Sequence, residues 1–249
     1  MIGIDAIIWI LSAIVISMAS VLKGLTGFGF ALFAVPILSL ILPIQVLIPA
    51  MIMFNFLASL YLLIQIKVKL QARYFVPMFL ASLAGIPIGV YALQNLDELL
   101  LRLVVGLVIV VFSLLLFFRR NHEPRHKNKP IVFAGFLSGL LGSSISLSGP
   151  PIALAMNNKG YRKNRFRANF AIFGMLSSLF TAVTYLLKGI IQIASVKFTA
   201  YLFPLLLIGS RLGNHWAGRI KNEKFKRIVI GVNFATGLAV VIVTILKFS

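Results

Sequence analysis

The sequence contains no cysteine. This absence excludes disulfide bonds, thiolate metal sites and cysteine-based redox or sulfur-relay chemistry. Acidic residues are almost as rare, with five aspartates and glutamates in 249 residues. The sequence also lacks a P-loop, a His/Glu zinc motif and a nucleophile–base pair, so nothing in it points to ATP-driven work or to an enzyme. We therefore expect no metal, no cofactor and no catalytic residue.

Charged residues as a whole are scarce. They make up 12% of the chain, whereas hydrophobic residues make up 60% and the mean hydropathy is +1.01. A soluble domain carries about 25% charged residues. The composition therefore predicts an integral membrane protein with nearly all of its mass in the lipid bilayer.

Most of the positive charge lies in short loops between apolar segments. Eighteen of the 24 lysines and arginines fall within residues 67–73, 119–129, 159–167 and 219–227. Short basic loops beside apolar spans are typical of the cytoplasmic side of a membrane. The net charge of +19 is thus a signal of topology and not of nucleic-acid binding. With these loops inside, both termini are expected outside.

Apolar runs long enough to enter or cross a bilayer follow one another along the chain. We expect an all-α fold with about 8–10 membrane segments. The candidate segments are 5–23, 27–42, 45–66, 74–94, 100–118, 130–142, 145–158, 168–188, 198–216 and 228–247. Residues 1–118 and 130–249 are predicted to be two transmembrane repeats, joined by the basic cytoplasmic linker 119–129.

A glycine-rich stretch that ends in proline occurs twice. Residues 23–36 have a counterpart 115 residues later, with glycine and proline at matching places. Further matches after this stretch, such as Tyr61 with Tyr185 and Pro77 with Pro204, extend the repeat along each half with small changes of offset. A matched pair of Gly/Pro-interrupted segments in two halves of a membrane protein is a pointer to a transport site.

The basic loops predict how the repeats are oriented. Because 119–129 and 159–167 lie on the same side, residues 130–158 have to enter the membrane and return as a hairpin of two short helices. Each repeat then consists of a broken-helix hairpin and three transmembrane helices, an odd number of segments, so the repeats are inverted. The loops around Pro43, Asp97 and Gly189 are expected on the outer face. The alternative is that one short segment is peripheral.

The stretches Gly24–Gly29 and Gly142–Gly149 are the least favourable for helix within the spans. A helix break survives in a membrane only where it is buried in protein or lines a cavity, and a restarted helix offers N–H groups to an anion. The expected substrate-binding residues are Lys23, Gly24, Thr26, Gly27, Gly29, Asn55, Gly139, Gly142, Ser143, Ser144, Ser146, Ser148, Asn169 and Arg211. The helix breaks are assigned to Pro36, Gly149, Pro150 and Pro151.

Several of these residues have a second interpretation. Lys23 could extend to the cytoplasmic interface, and Arg211 could be an interfacial anchor. Asn55 and Asn169, at comparable places in the third segment of each repeat, could bridge helices. The isolated pairs of small residues are assigned to helix packing: Gly85 with Gly89, and Gly209 with Gly213.

No acidic residue falls in the middle of a predicted span, so the sequence offers no carboxylate proton relay and no acidic cation site. An inside-negative membrane potential favours export of an anion by about 2.3 kcal/mol per charge and 100 mV. Import would need a coupled cation, whose site could be built from backbone carbonyls. The same motifs could also belong to a channel-like anion pore or to a scaffold that transports nothing.

At these motifs the chain resembles the sulfite exporter TauE/SafE family, also called TSUP, over essentially its full length. The resemblance lies in Lys23–Gly29 with Pro36, in Gly135–Gly142 leading to Gly149–Pro151, and in the basic stretch Arg162–Asn169. It implies a permease of the bacterial cytoplasmic membrane for a small anion such as sulfite, sulfoacetate or another organosulfonate.

The sequence and the resemblance together predict a secondary transporter that exports such an anion by alternating access between the two helix breaks. Its expected partners are the small anionic substrate and the lipid bilayer, without nucleic acid. A homodimer is left open.

Overall fold

The computed structural model describes residues 2–66, 72–118, 129–157, 163–217 and 222–248. Within these ranges the chain forms ten α-helices and no strand. The helices are α1 Ile2–Thr26, α2 Phe30–Leu38, α3 Ile44–Gln65, α4 Ala72–Asn95, α5 Glu98–Phe118, α6 Lys129–Ile145, α7 Gly149–Asn157, α8 Lys163–Leu187, α9 Ile193–Trp216 and α10 Asn222–Phe248. Six of them are long and apolar enough to span a membrane. The predicted all-α polytopic architecture is confirmed.

The helices form two series of five with the same arrangement. In each series a three-residue break separates the first helix from a helix of 9 residues, and three long helices follow. A helix of that length rises about 13 Å, whereas the apolar core of a bilayer is about 30 Å thick. The pairs α1/α2 and α6/α7 are therefore broken helices, with second parts too short to span.

In each series, the fourth helix packs against the first helix of the other series. Helix α4 lies along α6, the first helix of the other series, and α9 lies along α1. Gly85 and Gly89 on α4 touch the backbone of α6, and Gly209 and Gly213 on α9 touch the backbone of α1. Small residues let helix backbones approach closely in membranes. The packing role predicted for these two glycine pairs is confirmed.

Two pairs of equivalent helices, α3 with α8 and α5 with α10, run in opposite directions. Asn55 of α3 is hydrogen-bonded to Ser178 of α8, while Ser59, one turn further along α3, lies against Gly174, one turn earlier in α8. The glycine contacts between α5 and α10 show the same antiparallel arrangement. Antiparallel equivalents are what an inverted repeat requires. The orientation of either series across a membrane stays a prediction.

Three loops that were expected on one face lie together at one end of the molecule. Hydrogen bonds join the start of α3 to the starts of α5 and α9, and the end of α4 to the residue after α8. The loops around Pro43, Asp97 and Gly189 therefore share this end. Its assignment to the outer face of the membrane stays a prediction.

Arg102 of α5 holds the segment that follows α2. Its guanidinium donates to the carbonyls of Ser39 and Leu42 and pairs with Glu98 at 2.5 Å. Glu98 in turn accepts the N–H of Ile44, the first residue of α3. A positive charge beside the last carbonyls complements the helix dipole. This cluster fixes the direction of α2, whose other end reaches the candidate site.

Pro36 was expected to end or kink a helix. Helix α2 contains Pro36 and ends two residues later at Leu38, so it continues past the proline by less than one turn. Proline has no N–H for the helical hydrogen bond to the carbonyl of Leu32; after the proline, the hydroxyl of Ser39 donates to the Pro36 carbonyl at 3.0 Å, and the Ser39 N–H donates to Val35. These bonds close the last turn around the proline.

We expect Gly85→Ala to destabilise the protein, because an added Cβ would overlap the carbonyl of Phe136 on α6. Overpacking a close contact costs about 1–3 kcal/mol, and thermal unfolding in detergent should show a lower midpoint. Gly231→Ala is the matched control, since a Cβ at Gly231 meets no atom within 4 Å. Equal midpoints for the two variants would contradict the packing assignment.

Candidate functional site

The two breaks contain residues with left-handed backbone. The φ angles are 83° at Gly27, 96° at Gly29 and 61° at Ser146. Glycine adopts this conformation without steric cost. Ser146 is the one non-glycine residue with positive φ in the part of the chain that the structure describes, and this conformation is uncommon for a residue that carries a side chain.

Both breaks lie within the stretches that the sequence indicated, at residues 27–29 and 146–148. Gly24, Gly139 and Gly142 stay helical and let neighbouring segments approach closely instead. The breaks begin 119 residues apart, at Gly27 and Ser146, whereas the matched glycines lie 115 residues apart. A pattern of glycines alone cannot distinguish a break from a close contact.

Helix α8 bonds to backbone groups in the last turns of both broken helices. Arg167 donates to the carbonyl of Gly24 in α1, and the hydroxyl of Tyr185 donates to the carbonyl of Ser143 in α6 at 2.5 Å. Arg167 also donates to Oδ1 of Asn214 in α9 at 2.6 Å. Unpaired backbone groups cost several kcal/mol each in an apolar environment. These side chains therefore stabilise both breaks.

A cavity with about 20 Å³ of free space lies between the breaks, which is room for about one water molecule. In this conformation it is smaller than a typical ligand pocket of about 300 Å³ or more, so a larger ligand requires the lining to move apart. The lining is neutral apart from one lysine. It consists of Lys23, Phe28, Gly29, Phe30, Ala31, Leu32, Asn55, Ser146, Leu147, Ser148, Gly149, Pro150 and Phe170.

Lys23 is buried in this lining, with 1% of its surface exposed. Its Nζ donates to Oδ1 of Asn55 at 2.8 Å and lies 5.9 Å from the centroid of the Phe170 ring. The amide nitrogen of Asn55 donates to Ser178 at 2.7 Å, which keeps the amide oxygen toward the lysine. Asn55 lies near the middle of α3. The structure therefore favours the interpretation that Lys23 lines the cavity over the interpretation that it extends to the cytoplasmic interface.

The first turn of α2 faces the cavity. Phe30, Ala31 and Leu32 all line it, and the N–H of Phe33 is bonded to the carbonyl of Gly29 at 3.1 Å. The three N–H groups before Phe33 have no partner within the helix, and they form the positive end of its dipole. Such groups bind anions.

Helix α7 offers the cavity fewer N–H groups. Gly149, Pro150 and Pro151 were expected to break a helix, but they form the first turn of α7 after the break at 146–148. Proline is tolerated there and has no N–H to donate. On this side the donors are hydroxyls. The Ser146 hydroxyl is buried and has no hydrogen-bond partner within the described residues.

Other residues expected at the site have structural contacts outside the cavity lining. The hydroxyls of Thr26, Ser143 and Ser144 donate to helix carbonyls at 2.8–2.9 Å. A Cβ added at Gly27 would lie 2.9 Å from Cα of Arg167, and one added at Gly142 would lie 2.9 Å from Cβ of Ser148. These residues shape the breaks.

The two asparagines do not occupy equivalent places. Asn55 lies near the middle of α3, whereas Asn169 is buried near the start of α8 and outside the cavity lining. The expectation of comparable positions is wrong, because α8 begins within the stretch that was interpreted as a basic loop. The residue opposite Asn55 is Gly174, which lies beside both Asn55 and the Lys23 ammonium.

The arginine that the sequence suggested for the site is not the one that the structure buries. Arg211 is exposed on α9 and does not line the cavity. Arg167 was assigned to the loop 159–167, yet it lies in α8 with 3% of its surface exposed. The apolar residues Phe166 and Ala168 beside it were the signal for helix. Phe170 was missed too, although it follows Phe166 at helical spacing.

These features define a class of protein: a multi-pass helical membrane protein of two repeats, with paired helix breaks around one cavity, as in secondary transporters. The family model described as Sulfite exporter TauE/SafE matches residues 12–240. The chain belongs to this family of membrane transporters, in agreement with the resemblance of its motifs. No curated protein and no solved structure matches the chain significantly.

We expect Arg167→Ala to lower the free energy of unfolding, because it leaves the buried acceptors of Gly24 and Asn214 without this donor. A buried polar group left unsatisfied costs about 1–3 kcal/mol. Arg211→Ala, which removes an exposed arginine, is the control and should change the thermal midpoint little. A larger loss of stability in Arg211→Ala than in Arg167→Ala would contradict this assignment.

Proposed function

We propose that the protein is a secondary transporter that carries a small anion across the membrane by alternating access at the cavity between the two breaks. One observation supports this most directly. The cavity brings together Lys23, the residues of the first turn of α2 and Ser146, whose hydroxyl is unpaired, and no acidic residue is among the described residues of its lining. A site built from donors and one cation favours an anion.

We propose a sulfur-containing anion as the substrate, such as sulfite, sulfoacetate or another organosulfonate. The description of the family supports sulfite, and the oxygen atoms of these anions accept hydrogen bonds from ammonium, amide and hydroxyl groups. Export is the direction that an inside-negative potential favours. The basic loops support a bacterial cytoplasmic membrane with these loops on the inner side.

Packing beside the cavity favours a carrier over an open pore. Phe28, within the first break, packs against Phe166 and Phe170 of α8 with ring centroids 5.9 and 5.4 Å apart. Arg167 joins α8 to α1 and α9 on the same side of the break. A permanent pore would need a path through these contacts, whereas a carrier separates them during its cycle.

Anion binding is tested by thermal unfolding of the detergent-purified protein with sulfite, sulfoacetate, cations and neutral analogues. A ligand at 100 times Kd stabilises the folded state by about 2.7 kcal/mol, so one of the two anions should raise the midpoint. Lys23→Met should abolish the shift, and Lys188→Met, at an exposed position, should keep it. Stabilisation by cations or neutral solutes alone would contradict an anion site.

Transport is tested by uptake of radiolabelled sulfite into proteoliposomes. We expect Gly142→Leu to abolish uptake without loss of membrane insertion, because the new side chain would displace Ser148 in the second break. Gly231→Leu, at an open position, is the control and should transport normally.

The wild-type rate should saturate with sulfite concentration. A rate that rises linearly with sulfite concentration would indicate a channel. Uptake by Gly142→Leu at the wild-type rate would show that the second break has no role in the transport mechanism.

A further inference from the structure

Among the side chains that the structure describes, no carboxylate lies near the charge of Lys23. Its polar contacts among the described residues are the neutral amide of Asn55 and the face of the Phe170 ring. The two acidic residues whose side chains the structure describes, Asp97 and Glu98, lie at the start of α5, where Glu98 pairs with Arg102.

The remaining acidic residues are equally remote from the cavity along the chain. They are at positions 5, 123 and 223, in the first turn of α1, in the polar linker and in the first turn of α10. No acidic residue is among the described residues that line the cavity. An external anion is therefore the counter-charge that we consider for Lys23.

An enclosed ammonium without a counter-ion is unfavourable. An ion taken out of water loses several kcal/mol of hydration free energy, and neutral contacts compensate for only part of this loss. An anion in the cavity supplies both a counter-charge and hydrogen-bond acceptors. The cavity is therefore more stable in a closed state with an anion than in a closed state without one.

The difference in stability between the closed states with and without an anion affects the transport cycle. A carrier that works by alternating access passes through a state in which its site is closed to both sides. With an anion bound, that state contains a compensated charge; without one, the buried Lys23 either keeps a charge without a counter-ion or has to release its proton first. A ligand shifts an equilibrium by its differential affinity for the two states. The bound anion therefore lowers the energy barrier to reorientation of the loaded carrier. The corresponding barrier for the empty carrier stays high.

We propose that the protein is an anion exchanger, in which the return of the carrier requires a second anion to replace the first beside Lys23. This inference rests on the proposed function, since it concerns the same cavity. It adds that the exchange of one anion for another is faster than the net movement of a single anion. The incoming anion needs only the chemistry of the site: one or more oxygen acceptors, negative charge and small volume.

The test compares exchange with net uptake in proteoliposomes containing the full chain. One set is loaded with unlabelled sulfite and the other with gluconate, and radiolabelled sulfite is added outside. Equal potassium on both sides with valinomycin holds the membrane potential at zero, so that charge accumulation does not slow net uptake. We expect initial uptake into sulfite-loaded vesicles to be faster by at least about tenfold, equivalent to about 1.4 kcal/mol in barrier height.

The outcomes separate this inference from the proposed function. Equal initial rates in the two sets would show a transporter whose empty form returns freely, and would overturn the exchange mechanism alone. Absence of uptake in both sets, with no thermal stabilisation by sulfite or sulfoacetate, would overturn the proposed function and the exchange mechanism together.

Variants of Lys23 test the cause of the preference for exchange. Lys23→Gln keeps a donor for Asn55 but has no charge, so any residual uptake should show a ratio of exchange to net rate near one. Lys23→Arg keeps the charge and should keep a high ratio, and the exposed Lys188→Gln is the control with the wild-type ratio. A wild-type ratio in Lys23→Gln, or a ratio near one in Lys23→Arg, would overturn the assignment to the Lys23 charge.

Discussion

Backbone groups that a helix break frees inside an apolar protein need partners, and the arrangement of this molecule follows from that requirement. Arg167 and Tyr185, at opposite ends of α8, bond to the last turns of α1 and α6. The close packing of α4 on α6 and of α9 on α1 holds the broken helices in place. With the helix ends bonded, the residues that start α2 line the cavity together with Ser146, and their free N–H groups are the neutral donors that we propose for the anion.

The scarcity of acidic residues in the sequence is connected to the positive charge of the cavity. The chain has five acidic residues, and none of those whose side chains are described lies beside the buried lysine. In our proposal, an external anion completes the site. This dependence connects the composition to the proposed substrate class and to the proposed exchange of one anion for another.

The two repeats share their architecture but differ in their chemistry at the cavity. The first repeat contributes Lys23 and the N–H groups of residues 30–32, whereas the second begins α7 with Pro150 and Pro151 and contributes hydroxyl groups. The two series therefore share their paired breaks, while the positive charge among the described lining residues comes from the first series. The antiparallel course of α3 and α8 brings Asn55 and Ser178 together, so residues from both repeats orient the lysine.

Composition and periodicity determined the membrane class, the repeats, the loops that share one end and most helices, because bilayer thickness and hydropathy act on local segments. They also identified five of the residues that line the cavity, which are Lys23, Gly29, Asn55, Ser146 and Ser148. Only the tertiary structure decided where the breaks lie, since glycine in a membrane helix permits either a break or a close contact and the neighbouring helix selects between them. It alone distinguished Arg167 from Arg211, because the burial of a cation depends on partners from distant helices, such as Asn214, that no local pattern reveals.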